Sequence, residues 1–259
     1  MGGKKEIFHR IEAARQSGRK CLAILIDPDK AAPHHLGRVV QVGIAAQVDF
    51  FLVGGSLVVK DELGRCLSFI RSNCDIPTIL FPGSPLQIDE QADAILFLSL
   101  ISGRNAELLI GQQVISAPYL YKSSLEVISV GYMLVDGGVP TTVSYMSNTP
   151  PIPADKPEIA LATALAGEML GMKTLYLDAG SGAHHPVSEA MIRKVRKHTT
   201  VPLIVGGGIR KPERAWASAQ AGADVIVVGN AVEKSVELLS EMAEAVHSCR
   251  ANSFKANEL

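Results

Sequence analysis

Eight short apolar runs recur along the chain, and nearly all of them end in glycine or aspartate. They fall at residues 22–26, 50–53, 78–81, 94–101, 127–135, 174–177, 202–205 and 225–228. Each is apolar on successive positions rather than alternate ones, and most are too short for a helix. That is the pattern of strands covered on both faces, as in a parallel sheet. Helix-compatible segments separate most of them. One runs from Pro33, a residue suited to a first helical turn, to Ala46; another spans residues 57–71. Eight such units in one chain of 259 residues predict an α/β fold, a (β/α)8 TIM barrel, built as a single domain over residues 1–259. An open doubly wound sheet is the other arrangement of such units, but no GxGxxG follows the first run.

Two regions depart from a regular barrel. Only PGSPLQIDEQAD joins the third run to the fourth, so an irregular connection is expected in place of a helix after strand 3. Residues 111–126 and 137–156 also read as irregular, the latter rich in Pro, Ser and Thr. Long loops in a compact domain tend to carry function.

Composition excludes several classes. With 47% hydrophobic and 20% charged residues, the chain can fill its own core. A net charge of −1 and an isoelectric point near 6.7 give no basic face for a polyanion, so nucleic acid is not an expected partner. Cys21, Cys66, Cys74 and Cys249 show no CxxC spacing and read as reduced thiols of a cytoplasmic protein. The N-terminal stretch has no signal-peptide core and reads as a polar helix. The apolar runs fall far short of the roughly 20 residues that span a bilayer, so at most peripheral membrane contact is expected.

The chemistry gathers where the runs end. Asp27, Gly54-Gly55-Ser56, Asp136, Asp178 with Gly180-Ser181-Gly182, Gly206-Gly207-Gly208 and Gly229-Asn230 all follow strands. In a parallel barrel these positions share the C-terminal rim, where barrel active sites are built. Glycine at a strand-to-helix turn lets backbone N–H groups approach an anion. Two such turns after strands 7 and 8, GGGIR and GNAVE, indicate a phosphate site; singly, each would serve a tight turn. LIDPDK is open between a Mg²⁺ ligand set and a turn, with Asp29 the better candidate for the turn. His34-His35 and His184-His185 point divergently as neighbours and read as solvated, and Trp216 reads as packing.

Taken in order, LIDPDK, VGGS, SGRN, SNT, YLDAGSGA, PLIVGGGIR and VVGNAVE resemble the geranylgeranylglyceryl phosphate synthase family, which includes the heptaprenylglyceryl phosphate synthases. The likeness runs over nearly the whole chain and is to the longer, archaeal-type branch. It implies a modified TIM barrel that transfers a prenyl group from a prenyl diphosphate, on branch likeness geranylgeranyl diphosphate, to the C3 hydroxyl of sn-glycerol 1-phosphate, with Mg²⁺. It implies a homo-oligomer, a dimer or a hexamer. By the same resemblance Asp27 and Ser56 hold the metal. Tyr176, Leu177, Asp178, Ala179, Gly180, Ser181, Gly182, Gly207, Gly208, Gly229 and Asn230 bind glycerol phosphate. Asp178 and Tyr176 take the catalytic roles. The family usually has glutamate where this chain has Asp178, one methylene shorter. Two other readings stay open: another phosphate-binding barrel enzyme, like a thiamine phosphate synthase or a sugar-phosphate isomerase, and a non-catalytic glycerol-phosphate-binding member.

Overall fold

The computed structural model describes residues 6–60 and 62–250. Eight parallel strands close on themselves in chain order, β1 pairing with both β2 and β8. They are β1 Cys21–Ile26, β2 Phe50–Val53, β3 Thr78–Leu80, β4 Ala94–Leu100, β5 Glu126–Leu134, β6 Thr174–Asp178, β7 Leu203–Gly206 and β8 Val225–Val228. This is the expected TIM barrel, with strand ends shifted by a residue or so.

Side chains on a strand alternate between faces, and here both faces are apolar. Leu22, Ile24, Phe51, Val53, Leu175 and Leu177 pack outward against the helices. Ala23, Phe50, Leu52, Ile128, Val130 and Tyr176 fill the barrel interior. That double burial is why the runs read as continuous rather than alternating.

Helices α1 Ile7–Gln16, α2 Pro33–Ala45, α3 Leu63–Asn73, α4 Gln112–Lys122, α5 Thr142–Ser147, α6 Pro157–Met169, α7 Glu189–His198, α8 Pro212–Ala221, α9 Asn230–Lys234 and α10 Leu238–Ser248 complete the chain. The expected irregular link after β3 is present: a single 3-10 turn, Pro85–Gln87, stands where a helix would.

Four expectations need correction. The helix expected over residues 57–71 begins only at Leu63. Asp29 accepts from the backbone N–H groups of Val59 (2.8 Å) and Lys60 (3.0 Å) and holds that stretch as a loop. Both acids of LIDPDK therefore hold turns: Asp29 the 59–60 loop, and Asp27 its own, its Oδ1 accepting from the Asp29 N–H at 3.1 Å. Residues 111–126 are mostly helix, a π-helical turn at Glu107–Gly111 running into α4, which accommodates Pro118. Trp216 is 44% exposed rather than packed. The N-terminal helix α1 is amphipathic, not polar, and buries Ile7, Ile11 and Ala14.

Those three residues join the barrel's interior cluster, so α1 plugs the end opposite the rim. No side chain of its own caps α1. Glu126, at the start of β5, accepts instead from the N–H groups of Ile7 (2.6 Å) and Phe8 (3.0 Å). A carboxylate on a helix N-terminus satisfies orphan donors and complements the dipole. Removing such a cap costs about 1–2 kcal/mol. Glu126→Ala is therefore expected to lower the urea-unfolding stability by that amount, with Glu126→Gln intermediate. Equal midpoints for parent and both variants would contradict this cap.

Candidate active site

β6 runs Thr174, Leu175, Tyr176, Leu177, Asp178. Alternation sends Tyr176 and Asp178 inward and Leu177 outward. Asp178 therefore closes the inner face of β6 at the rim, beside Gly206 of β7. Its carboxylate is 6% exposed and is held at both oxygens. The Tyr132 hydroxyl donates to Oδ2 at 2.6 Å, and the Gly180 N–H donates to Oδ1 at 2.7 Å. Hydrogen bonds to a charged group are worth about 1.5–3 kcal/mol each. Both favour the carboxylate, yet burial outweighs them and holds the Asp178 carboxyl above the usual aspartate range. Burial, with the neighbouring Asp178 charge, pushes the Tyr132 and Tyr176 hydroxyls well above the ordinary tyrosine value. Both stay protonated, and Tyr132 remains a donor.

Three aromatic rings line the inner end of the site. Phe81 stacks on Tyr176 with centroids 5.4 Å apart, and Tyr132 meets both rings edge-on at 5.4 and 6.0 Å. Tyr132 was not among the expected residues. On a strand apolar on both faces, nothing in the run marks which residues turn inward; only the inward Asp178 on the neighbouring strand would have given the parity.

Around Asp178 the glycine turns stack backbone to backbone. Gly207 has φ +79°, and a Cβ there would fall 2.5 Å from the Gly180 nitrogen and 2.6 Å from Asp178 Oδ1. Only glycine brings the β6 and β7 turns this close. The Ser181 hydroxyl donates to Asn230 Oδ1 at 3.0 Å, tying the β6 turn to the β8 turn. Arg210 donates to the Ala183 carbonyl at 2.8 Å and braces the same loop. Among the described residues no protein group accepts from the N–H of Gly182, Gly208 or Asn230. Unpaired N–H groups on three turns around one cavity suit a phosphate.

One cavity, about 310 Å³, joins these parts and lies in the size range of small-molecule sites, roughly 300–1,000 Å³. Tyr176, Asp178, Gly180, Ser181 and Gly182 line it, with Gly207, Gly208, Gly229 and Asn230. Asp27 and Ser56 open onto the same space. Leu177 and Ala179 do not: both side chains belong to the outer core between sheet and helices. Alternation turns these two side chains away, so only their backbone runs beside the cavity. His184 and His185 are exposed and do not line the cavity. The wall is apolar on the side of β3, β4 and α5, where Pro82, Pro85, Leu96, Leu98, Val143 and Met146 face it. The SGRN and SNT segments meet behind that wall, Asn105 donating to the Ser147 carbonyl at 3.2 Å.

Asp27 lies at the mouth with Lys30, whose ammonium sits 2.9 Å from Asp27 Oδ2 and 3.6 Å from Glu233. Among the described residues no group of three or more His, Cys, Asp or Glu is placed to hold a metal. One carboxylate and one hydroxyl lining the same cavity fit Mg²⁺, which takes hard oxygens and keeps waters or substrate phosphates as its other ligands.

This barrel, with a buried acid, a glycine cradle and an apolar wall around one cavity, is built as a phosphate-binding TIM-barrel enzyme. The chain matches the PcrB family over residues 15–248 and belongs to it. It is 55% identical to the geranylgeranylglyceryl phosphate synthase of Chitinophaga pinensis, over 94% of this chain and 96% of that one. Against the synthase of the same name from Thermococcus gammatolerans the figures are 43%, 87% and 90%. The crystal structure of the Thermoplasma acidophilum (S)-3-O-geranylgeranylglyceryl phosphate synthase, in complex with its substrate sn-glycerol-1-phosphate, superposes with a TM-score of 0.87. It is 36% identical and covers 96% of this chain and 99% of its own. Among the described residues no helix is long and apolar enough to cross a membrane.

The raised Asp178 carboxyl makes a stability prediction. The native state holds this proton more tightly than the unfolded chain. Stability therefore falls as pH rises from the ordinary 3.8 through the raised native value. Asp178→Asn keeps the Gly180 bond and removes the buried charge. The variant is expected to melt above the parent near neutral pH, and the two should converge at a pH below about 4. A difference in melting temperature that does not grow with pH would contradict the burial assignment.

Proposed function

We propose that this chain joins a prenyl diphosphate, of C20 length on family likeness, to the C3 hydroxyl of sn-glycerol 1-phosphate, forming an ether and releasing diphosphate. One observation carries the reading: a single cavity is lined both by turns with unpaired N–H groups around a buried carboxylate and by an apolar wall. A phosphorylated polyol needs the first and a prenyl tail needs the second. A sugar-phosphate isomerase or a thiamine phosphate synthase has no use for the apolar wall.

In the proposed reaction the allylic C1–O bond breaks and its electron pair leaves with diphosphate. The glycerol C3 oxygen supplies a lone pair to C1 and gives up its proton. Asp178 accepts that proton; burial makes it a stronger base than an exposed aspartate. Tyr132 holds the carboxylate through Oδ2 and the Gly180 N–H holds it through Oδ1, leaving one lone pair on each oxygen to the substrate. Tyr176 lines the same cavity, its ring stacked on Phe81 and its hydroxyl left to orient the glycerol. The faces of these aromatic rings favour positive charge developing at C1. The unpaired N–H groups of Gly182, Gly208 and Asn230 receive the glycerol phosphate. Asp27 and Ser56 would hold Mg²⁺, whose charge would favour departure of the diphosphate. Lys30, already at Asp27, is placed to add a second positive charge there. The shorter Asp178 stands closer to the β6 backbone than a glutamate would, so glycerol must sit deeper against the glycine turns.

The α4 side chains Val114, Ile115, Tyr119 and Tyr121 are exposed, the last 91%. An apolar helix face of this kind supports a homo-oligomer as part of the proposal.

The test is incubation with Mg²⁺, sn-glycerol 1-phosphate and labelled C20 prenyl diphosphate, followed by organic extraction. A labelled phosphate ester is expected, and none formed with any prenyl length would overturn the reading. The kcat/KM profile should fall on the acid side as Asp178 takes its proton. Tyr132→Phe removes a donor that favours the carboxylate, so the acid limb should move to higher pH with a rate loss of roughly ten- to a hundredfold. An unmoved limb would remove Asp178 as the base.

A further inference from the structure

The irregular link after β3 holds a buried polar side chain to which neither the sequence motifs nor the reaction above gives a role. Gln87 ends the 3-10 turn and is 6% exposed. Its Nε2 donates to the Gly55 carbonyl at 3.0 Å. Its Oε1 accepts from the Gly55 N–H at 3.4 Å and from the Gly83 N–H at 3.3 Å. The carboxamide thus pairs with Gly55 as a neighbouring strand would, and ties the turn after β2 to the turn after β3. The two turns are already in backbone contact. A Cβ at Gly54, whose φ is +143°, would fall 2.3 Å from the Phe81 carbonyl oxygen. A Cβ at Gly83 would fall 2.4 Å from the Gly55 carbonyl oxygen. No side chain fits between the turns, so Gln87 has to reach them from behind. The residue next to Gly55 is Ser56, which lines the cavity with Asp27.

On the reading of Ser56 given under Proposed function, we infer that Gln87 is a positioning residue: its carboxamide sets the 54–56 turn so that Ser56 faces the diphosphate end of the cavity. The 3-10 turn that stands in place of a regular helix brings the Gln87 carboxamide against the turns after β2 and β3. Gln87 touches neither substrate. Its influence should be confined to the diphosphate half of the site and should leave the glycerol phosphate half, on β6 to β8, unmoved.

Calorimetry on the full chain separates these halves without turnover. Gln87→Glu keeps the size of the side chain but replaces the Nε2 donor with an oxygen facing the Gly55 carbonyl. Gln87→Met fills the space with no hydrogen bonds and guards against an effect of charge alone. Both variants are expected to bind pyrophosphate in the presence of Mg²⁺ about tenfold more weakly than the parent. Their sn-glycerol 1-phosphate affinity should stay within twofold. In the Ser56→Ala background, either change should cost little more than Ser56→Ala alone, because residues acting as a unit do not add. Equal losses for pyrophosphate and glycerol phosphate would reduce Gln87 to a general packing role and overturn the proposal. Full additivity with Ser56→Ala would also overturn it. If the parent binds pyrophosphate but makes no ether, the functional reading fails while the Gln87 comparison still stands.

Discussion

A residue on a barrel strand points either into the barrel or out to the helices, and β6 gives its last inward position to a carboxylate. The rest of the site depends on that placement. Asp178 is only 6% exposed, so Tyr132 and the Gly180 N–H take over part of water's role. The close stacking of Gly207 on Gly180 then follows, since the β7 turn must pass over the acid without a side chain. The same alternation removes Leu177 and Ala179 from the cavity and leaves only backbone between the acid and the phosphate cradle.

Much of the fold was legible because a parallel barrel writes itself as doubly buried runs. All eight strands lie where the apolar runs fall, and the missing helix after β3 shows in a twelve-residue link rich in proline and glycine. The rim glycines and Asp178 were legible for a second reason: short, polar or glycine residues after a buried strand have few structural uses. What could not be read shares one cause, long-range geometry. Asp29 stops a helix thirty residues away by taking the Val59 and Lys60 N–H groups. Glu126 caps α1 from across the barrel. Tyr132 is one apolar-looking residue among nine until β5 is paired with β6.

The two halves of the cavity are assembled by different devices. On β6 to β8, glycine backbones meet one another and offer N–H groups, so that part of the wall has almost no side chains to move. On β2 and β3, the turns also meet through glycine, but a side chain from the irregular link pins them. A rigid cradle suits a small phosphorylated polyol, whose hydroxyl must reach one carboxylate. A pinned loop suits an end of the site where charge departs. The apolar wall adjoins both, and its lining from β3, β4 and α5 is drawn from the least regular part of the barrel.

The central claim is that glycerol phosphate sits with its phosphate on the β6 to β8 turns and its free C3 hydroxyl on Asp178. A crystal of this chain grown with sn-glycerol 1-phosphate tests it directly. Phosphate oxygens are expected within hydrogen-bond reach of the Gly182, Gly208 and Asn230 N–H groups, and the C3 hydroxyl on an Asp178 carboxylate oxygen. A phosphate bound instead at Lys30 and Ser56, with glycerol carbons away from Asp178, would contradict it.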